Sequence, residues 1–299
     1  MIILQLKSAH NESDIGDIED IRSFIYEKYG YKIRGHEIHQ SLEGLRKLSL
    51  NQSASLVTRF CSKNDIEYLT LHVPIPRNER GYLHNELSYE IANDSILATI
   101  REAEIIYREC GFKNKVVIVY HLQSVISVDQ IPSLNIELKF RILEKAERNL
   151  IDFCLRYKDY FNSFAILTLE NVFPKYFQNA DDGNYATVNM FHPAEMIRLK
   201  KYGIMVTFDL SHYNIYSNHL SYEKNSNVAE IDRRIYGLTA PSWNDCLDLL
   251  GDSLAQLHIN DGRGIGVSGE GLMLSEGEIP LTDILRYFGF GSRWEERYI

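Results

Sequence analysis

Short apolar runs alternate with longer amphipathic stretches along the chain. Apolar residues at helical spacing predict helices at 14–29, 53–63, 86–110, 136–160, 193–201, 242–250 and 280–288. Apolar runs of high β-propensity predict strands at 2–6, 68–72, 116–121, 164–170, 204–209 and 254–258, with weaker strands at 35–39 and 293–299. Strands and helices therefore alternate through the chain.

The predicted strands are apolar on both faces, which is typical of a parallel sheet covered by helices. Eight strand–helix units in 299 residues predict an α/β fold of the TIM (β/α)8 barrel type, as a single domain over residues 1–299. A doubly wound sheet is the alternative, but it usually has a glycine-rich turn after the first strand, and residues 7–12 contain no glycine. The longest connections follow strands and so belong to the face where barrel enzymes hold their sites; they lie at 122–135, 171–192, 213–240 and 260–278.

The net charge, the apolar runs and the cysteines of the sequence argue against several classes of function. The formal net charge is −9, so the chain lacks the basic field of most nucleic-acid binders. The sequence has neither an apolar run of about 18 residues nor a signal-peptide pattern, so we expect a cytoplasmic protein with no membrane partner. The four cysteines are far apart and lack metal-binding spacing, which favours buried, reduced thiols.

Five successive predicted strands end in a residue that can bind a metal ion. These residues are His72, His121, Glu170, Asp209 and His258. In a parallel barrel their side chains would converge at one mouth, and three imidazoles with two carboxylates suit zinc, manganese, cobalt or iron better than calcium or magnesium. A lone histidine at a strand end is usually structural, but two unpaired buried carboxylates would cost several kcal/mol, which a bound cation offsets.

Two further motifs extend this predicted site. His212 follows Asp209 by three residues and either binds the metal ion, hydrogen-bonds a metal-bound substrate or lies in the loop as a capping residue. Asp261 follows His258 at the same spacing and is a candidate to orient an imidazole. Arg263 is the best-placed cation for an anionic or hydroxyl-rich ligand, with a solvated loop position as the alternative.

These motifs together resemble the xylose isomerase-like TIM barrels. The resemblance covers residues 68–285 and rests on the following segments: Leu71-His72-Val-Pro74, Tyr120-His121, Leu169-Glu170-Asn171, Phe208-Asp209-Leu-Ser-His212, Leu257-His258-Ile-Asn-Asp261 and the glycine-rich stretch from Gly269 to Pro280. This superfamily includes sugar and sugar-phosphate isomerases and epimerases, and the endonuclease IV type of apurinic/apyrimidinic (AP) endonuclease, family 2. Each motif alone is weak, but their order on successive strands is specific to the superfamily.

The resemblance implies roles for individual residues. Glu170, Asp209 and His258 match strand-end metal ligands in both branches, and His212 and Arg263 look like residues that hold the oxygens of a substrate. In the endonuclease branch His72 and His121 would bind one more zinc ion with Glu170 bridging, and His212 would help to bind a third.

The sequence departs from the family pattern in two places. Residues 262–277 contain no histidine, so the Asp-x-His of the endonucleases is absent. A glutamate is also expected at the end of the eighth strand, and the candidates for this position are Glu295, Glu296 and, on the preceding loop, Glu270.

Three functions follow from this pattern. The preferred one is an isomerase or epimerase that holds one or two divalent ions and acts on a carbohydrate-like hydroxy-carbonyl compound through an enediolate, with Glu170, His212 and Arg263 as catalytic residues. Residues 213–240, rich in tyrosine, then form a lid or pack on the barrel rim. The second is a metal-dependent phosphodiesterase that acts on abasic DNA, less favoured because no basic stripe is present. The third is a barrel without catalysis. The native metal, the substrate and the oligomeric state stay open.

Overall fold

The computed structural model describes most of the chain. The described residues are 5–9, 12–30, 32–39, 49–74, 77–78, 81–82, 89–122, 124–174, 176–179, 183–188, 191–221, 227–237, 240–265, 269–272 and 275–288. Within them helices separate the successive strands that pair in parallel, as the hydrophobic pattern predicts, and the protein belongs to the α/β class.

The strands, in chain order, are β1 Gln5–Ala9, β2 Gly35–His39, β3 Tyr68–His72, β4 Arg77–Asn78, β5 Gly81–Tyr82, β6 Val116–Tyr120, β7 Val125–Ser127, β8 Ala165–Glu170, β9 Tyr176–Asn179, β10 Gly183–Thr187, β11 Met205–Asp209 and β12 Leu254–His258. The α-helices are α1 Glu12–Tyr29, α2 Leu50–Lys63, α3 Tyr89–Cys110, α4 Ile136–Phe161, α5 Pro193–Met196, α6 Leu210–Ser221, α7 Asn227–Tyr236, α8 Trp243–Leu250 and α9 Leu281–Tyr287. Short 3-10 helices span Val128–Ser133, Ile197–Tyr202 and Gly251–Ser253.

The chain divides into two compact units. The first consists of Met1–His121, Arg148–Leu169 and Tyr202–Ile204. In its described part the strands β1, β2, β3, β6 and β8 form a parallel sheet in that order. Parallel strands of this kind are buried on both faces, and accordingly Ile38, Leu71 and Ile118 are fully buried.

The helices of the first unit pack through apolar residues at helical spacing. A capping box begins α2, in which the Ser49 hydroxyl accepts from the Gln52 N–H and the Gln52 side chain accepts from the Ser49 N–H. The buried face of α2 packs against α3, where Ile96, Ile100 and Ile106 are fully buried.

The second unit consists of Leu122–Glu147, Glu170–Lys201 and Met205–Ile299. In it β11 and β12 pair in parallel, with Asp209 opposite His258 at their ends. A separate antiparallel sheet has the order β7, β10, β9. Large aromatic side chains fill the core of this unit, among them Phe173, Phe208, Tyr213 and Tyr216.

The predicted strands 35–39, 68–72 and 254–258 have the bounds predicted from the sequence. The predicted first strand, 2–6, overlaps β1, which extends further to Ala9, and residues 2–4 lie outside the described residues. Three of the four long connections contain regular elements: 122–135 holds β7 and a 3-10 helix, 171–192 holds β9 and β10, and 213–240 holds most of α6 and all of α7. The predicted eighth strand at 293–299 lies outside the described residues, and the single-domain organisation stays a prediction.

None of the helices that the structure describes is long and apolar enough to cross a membrane.

Candidate metal centre

Three residues of the second unit, each the last residue of a strand, bring ligand-type side chains together. Glu170 ends β8, Asp209 ends β11 and His258 ends β12. All three are buried, and one ligand atom from each lies within 4.8 Å of the others. The predicted strand-end ligands of this unit therefore share one position.

His258 connects the two carboxylates. Its Nδ1 lies 3.2 Å from Glu170 Oε1 and 3.5 Å from Asp209 Oδ2. Burial alone would raise the pKa of Asp209, but the nearby His212 and the hydrogen bond from His258 bring that pKa below its usual value. The site therefore keeps Asp209 in the anionic form that binds cations.

The spacing of Asp209 and His212 has a local structural reason. Asp209 precedes the first residue of α6, and its Oδ1 accepts a hydrogen bond of 2.8 Å from the His212 N–H, as a helix N-cap does. This contact fixes both side chains of the motif at the start of one helix. The positive end of the helix dipole also stabilises the carboxylate.

His212 links the three-residue cluster to the glycine-rich loop. Its Nδ1 lies 2.7 Å from the Asn171 carbonyl oxygen and 3.5 Å from Glu170 Oε1, and its Nε2 lies 2.8 Å from Glu270 Oε1. Burial alone would lower the pKa of His212, but Asp209 and the hydrogen bond to Glu270 raise it above its usual value. Glu270 thus reaches the site from the loop through this imidazole.

Two asparagines to which the sequence motifs assign no role of their own hold Asp209 in place. Asn171 donates to the Asp209 carbonyl oxygen at 2.9 Å and accepts from the Asp209 N–H at 2.6 Å. Asn260 donates to Asp209 Oδ2 at 3.0 Å. Each lies one or two residues after a predicted ligand, Glu170 or His258, and that proximity is the signal that could have found them.

Asp261 organises the loop rather than an imidazole. Its carboxylate accepts hydrogen bonds of 2.9–3.1 Å from four backbone N–H groups, those of Gly262, Ser275, Gly277 and Ile279. A Cβ at Gly277 would lie 2.2 Å from Asp261 Oδ1, so only glycine fits there. The amides of Gly262 and Gly277 are therefore already bonded within the loop.

The other predicted residues of this face have different surroundings. The Arg263 side chain is exposed, and its predicted role in binding substrate oxygens stays a prediction. Glu270 is about one-quarter exposed and contacts His212. Among the three candidates for the additional glutamate that the family resemblance implies, it is the one that lies in the described part of the chain. Glu295 and Glu296 lie outside the described residues.

The first unit has a cluster of its own. The ring of His72 lies 5.5 Å from the ring of His121, centroid to centroid, and 4.8 Å from that of His39. His72 Nε2 also hydrogen-bonds Glu37 Oε1 at 2.9 Å, and both side chains are buried. The structure therefore brings the predicted His72 and His121 together and adds Glu37 and His39 of β2. His39 is the last residue of a predicted strand and Glu37 lies two residues before it, so their positions could have indicated them.

Comparison with solved structures identifies the fold. An AP endonuclease of family 2 from Brucella melitensis superposes with a TM-score of 0.54 at 12% identity, over 96% of this chain and 88% of that chain. A xylose isomerase domain protein from Alicyclobacillus acidocaldarius superposes with a TM-score of 0.53 at 14% identity, over 97% of this chain and 85% of that chain. This chain is therefore similar in fold to both of these proteins. No protein-family model matches the sequence, and no curated protein matches it at a significant level.

The donor chemistry of the second unit fits a divalent cation. Two buried carboxylates within 4.8 Å of each other and of an imidazole repel one another unless positive charge lies between them. Mixed oxygen and imidazole donors are the set that zinc, manganese, cobalt and iron accept. Glu170, Asp209 and His258 therefore form a candidate metal centre.

Proposed function

We propose that the protein is a divalent-metal-dependent isomerase or epimerase, built as a single eight-stranded barrel and acting on a sugar, a sugar phosphate or a related hydroxy-carbonyl compound. The observation that carries this proposal is the buried cluster of Glu170, Asp209 and His258, with Glu270 hydrogen-bonded to His212 beside it. This arrangement supplies both a place for a cation and a second carboxylate for proton transfer.

Glu170, Asp209 and His258 would hold one divalent ion, which we propose to be zinc, manganese, cobalt or iron. The chain would bind this ion alone or together with a second one. When bound, the ion would polarise the carbonyl group of the substrate and acidify the neighbouring C–H bond. Asn171 and Asn260 keep Asp209 oriented toward this position.

Glu170 and Glu270 would share the proton transfer. Glu170 accepts the proton from the carbon next to the carbonyl group, and Glu270 is the partner carboxylate that serves the neighbouring carbon. Asp209 and the hydrogen bond to Glu270 raise the pKa of His212. Its Nε2 would hold a substrate oxygen as negative charge develops, in place of its present contact with Glu270. Arg263, on the same loop as Glu270, binds an anionic or hydroxyl group of the substrate.

The test compares metal-loaded wild type with Glu170→Gln on a panel of ketoses, ketose phosphates and a duplex with an abasic site. Glu137→Gln is the matched control, because Glu137 is 81% exposed on α4. We expect metal-dependent turnover of a sugar that Glu170→Gln abolishes and Glu137→Gln retains. Strand cleavage that is lost in Glu170→Gln, without sugar turnover in the wild type, would contradict the proposal.

The second candidate function is that of a metal-dependent phosphodiesterase. The cluster of His72, His121 and Glu37 in the first unit favours it, because two metal sites suit the hydrolysis of a phosphodiester. This candidate predicts two bound ions per chain, of which one is lost in His72→Ala. Full retention of metal by that variant counts against it.

A further inference from the structure

Two cysteines far apart in the sequence meet in the first unit. Cys61 lies in the last turn of α2 and Cys110 is the last residue of α3. The Cys110 thiol donates to the Thr58 carbonyl oxygen at 3.9 Å, one turn before Cys61 on α2. Cys110 is thereby next to Cys61, and each thiol influences the pKa of the other. The packing of α2 against α3 therefore creates a thiol pair that the sequence spacing did not indicate.

The two thiols are not equivalent. Cys61 is buried, whereas Cys110 is half-buried. The hydrogen bond from Cys61, and then one from Ser62, lower the pKa of Cys110 to about 7 against the opposing effects of burial and of Glu109. The same hydrogen bond and burial raise the pKa of Cys61, although Arg22 opposes this. Cys110 therefore has the larger thiolate fraction and the better access to solvent.

The remaining cysteines provide an internal contrast. Cys154 and Cys246 are buried. Burial raises the pKa of the Cys154 thiol to about 12 and raises that of Cys246 as well. Both should be inert toward reagents that attack thiolates.

We propose that Cys61 and Cys110 form an oxidisable pair that closes to a disulfide between α2 and α3 when a peroxide reaches Cys110. The Cys110 thiolate attacks one peroxide oxygen, the O–O bond breaks, and hydroxide leaves, which yields a sulfenic acid at Cys110. The Cys61 sulfur then attacks the Cys110 sulfur, the S–O bond breaks, and water leaves with the Cys61 proton. One peroxide is reduced to two waters as two thiols become one disulfide.

The disulfide is tested on the full chain with hydrogen peroxide. We expect the wild type to lose two hydrogen atoms in intact mass and to give a Cys61–Cys110 cross-linked peptide without reductant. Cys61→Ser should stop at a sulfenic acid on Cys110 that dimedone traps, and Cys154→Ser should behave as the wild type does. Oxidation of Cys154 or Cys246 before Cys110, or a disulfide with any other partner, would overturn the proposal.

A second measurement needs no variant. Alkylation of the native wild type by iodoacetamide should modify Cys110 first, with a rate whose midpoint lies near pH 7. The charged groups that act on the pair are Glu109, next to Cys110 on α3, and Arg22 on α1, which acts on Cys61. A rate that rises only around pH 8.5, the usual thiol value, would contradict the assignment.

Discussion

Asp209 is the most constrained residue of the candidate metal centre. Its Oδ1 accepts from the first turn of α6, its Oδ2 accepts from Asn260, and Asn171 bonds both its N–H and its carbonyl oxygen. A carboxylate held by so many contacts is in place before a cation arrives, which lowers the entropic cost of binding.

Removing one of these contacts should weaken metal binding without removing a ligand. For Asn260→Ala we expect the dissociation constant of the bound ion to rise roughly 10- to 100-fold, as for other groups that orient metal ligands. Calorimetric titration of the metal-free protein measures this. Asn162→Ala, at an exposed position in the first unit, should bind as the wild type does. Equal affinity of all three proteins would exclude an orienting role for Asn260.

The ligand-type residues of the second unit could be predicted because each ends an apolar strand. For Asn171 and Asn260 the only sequence signal is their proximity to a predicted ligand, because the role of an amide depends on tertiary contacts. Glu37 has a positional signal of the same kind. It lies two residues before the end of a weak strand, and only its hydrogen bond to His72 gives it a role.

Buried charged residues hold two parts of the second unit together. The glycine-rich loop is held by Asp261, and the helices α4, α5 and α7 meet at Lys139. Lys139 is fully buried and pairs with Glu195 at 2.9 Å and with Asp232, while Tyr236 donates to Glu195 and Tyr216 to Asp232. In both places buried charged groups are hydrogen-bonded to one another or to the backbone.

For Asp261→Ala we expect a loss of about 3 kcal/mol in the free energy of unfolding at neutral pH, because backbone N–H groups lose their acceptor. Burial alone would raise the pKa of Asp261, but the backbone hydrogen bonds lower it. The Asp261 carboxylate therefore stabilises the folded protein fully at pH values above the usual aspartate pKa. This stabilisation is lost as the pH falls through the lower pKa that Asp261 has in the folded protein. Urea unfolding at several pH values measures it, with the exposed Asp252→Ala as control. A pH-independent difference would contradict this origin.

For Lys139→Met we expect a larger loss, about 3–5 kcal/mol, since two buried carboxylates lose their common partner. The matched control is Lys200→Met, which removes an exposed ion pair with Asp252 and should change stability little. Thermal and urea unfolding compare the two variants. Similar stability for both would show that the buried cluster is not an important contact between these helices.

Connections in the second unit were the least predictable elements. Residues 213–221 lack a strong helical pattern, and α6 forms there because Asp209 caps it and because Tyr213 and Tyr216 are fully buried in the core. The sequence left two roles open for the tyrosines of this segment, a lid or packing. Tyr213 and Tyr216 pack in the protein interior. The strands were predictable because burial on both faces leaves a continuous apolar run.

At the scale of the whole molecule, the net charge of −9 includes carboxylates that are not on the surface. Glu37, Glu170, Asp209, Glu195 and Asp232 are all buried. Lys139 balances two of them, whereas the acidic residues of the candidate metal centre have imidazoles as partners. A divalent cation would supply the missing positive charge.

Metal binding should therefore stabilise the folded protein. At a free metal concentration of 100 times the dissociation constant, linkage predicts a gain of about 2.7 kcal/mol. We expect the unfolding temperature to rise when zinc, manganese, cobalt or iron is added and to fall after treatment with a chelator. A thermal scan with each ion measures the shift, and magnesium is the comparison, for which we expect a smaller effect.

The most direct test of the central claim is the metal content of the purified protein, measured by mass spectrometry after loading and removal of free ions. Wild type and Asp252→Asn should retain at least one ion per chain. Asp209→Asn and His258→Ala should each retain at least one ion fewer than the wild type. If both of these variants retain as much metal as the wild type, Glu170, Asp209 and His258 are not the metal centre.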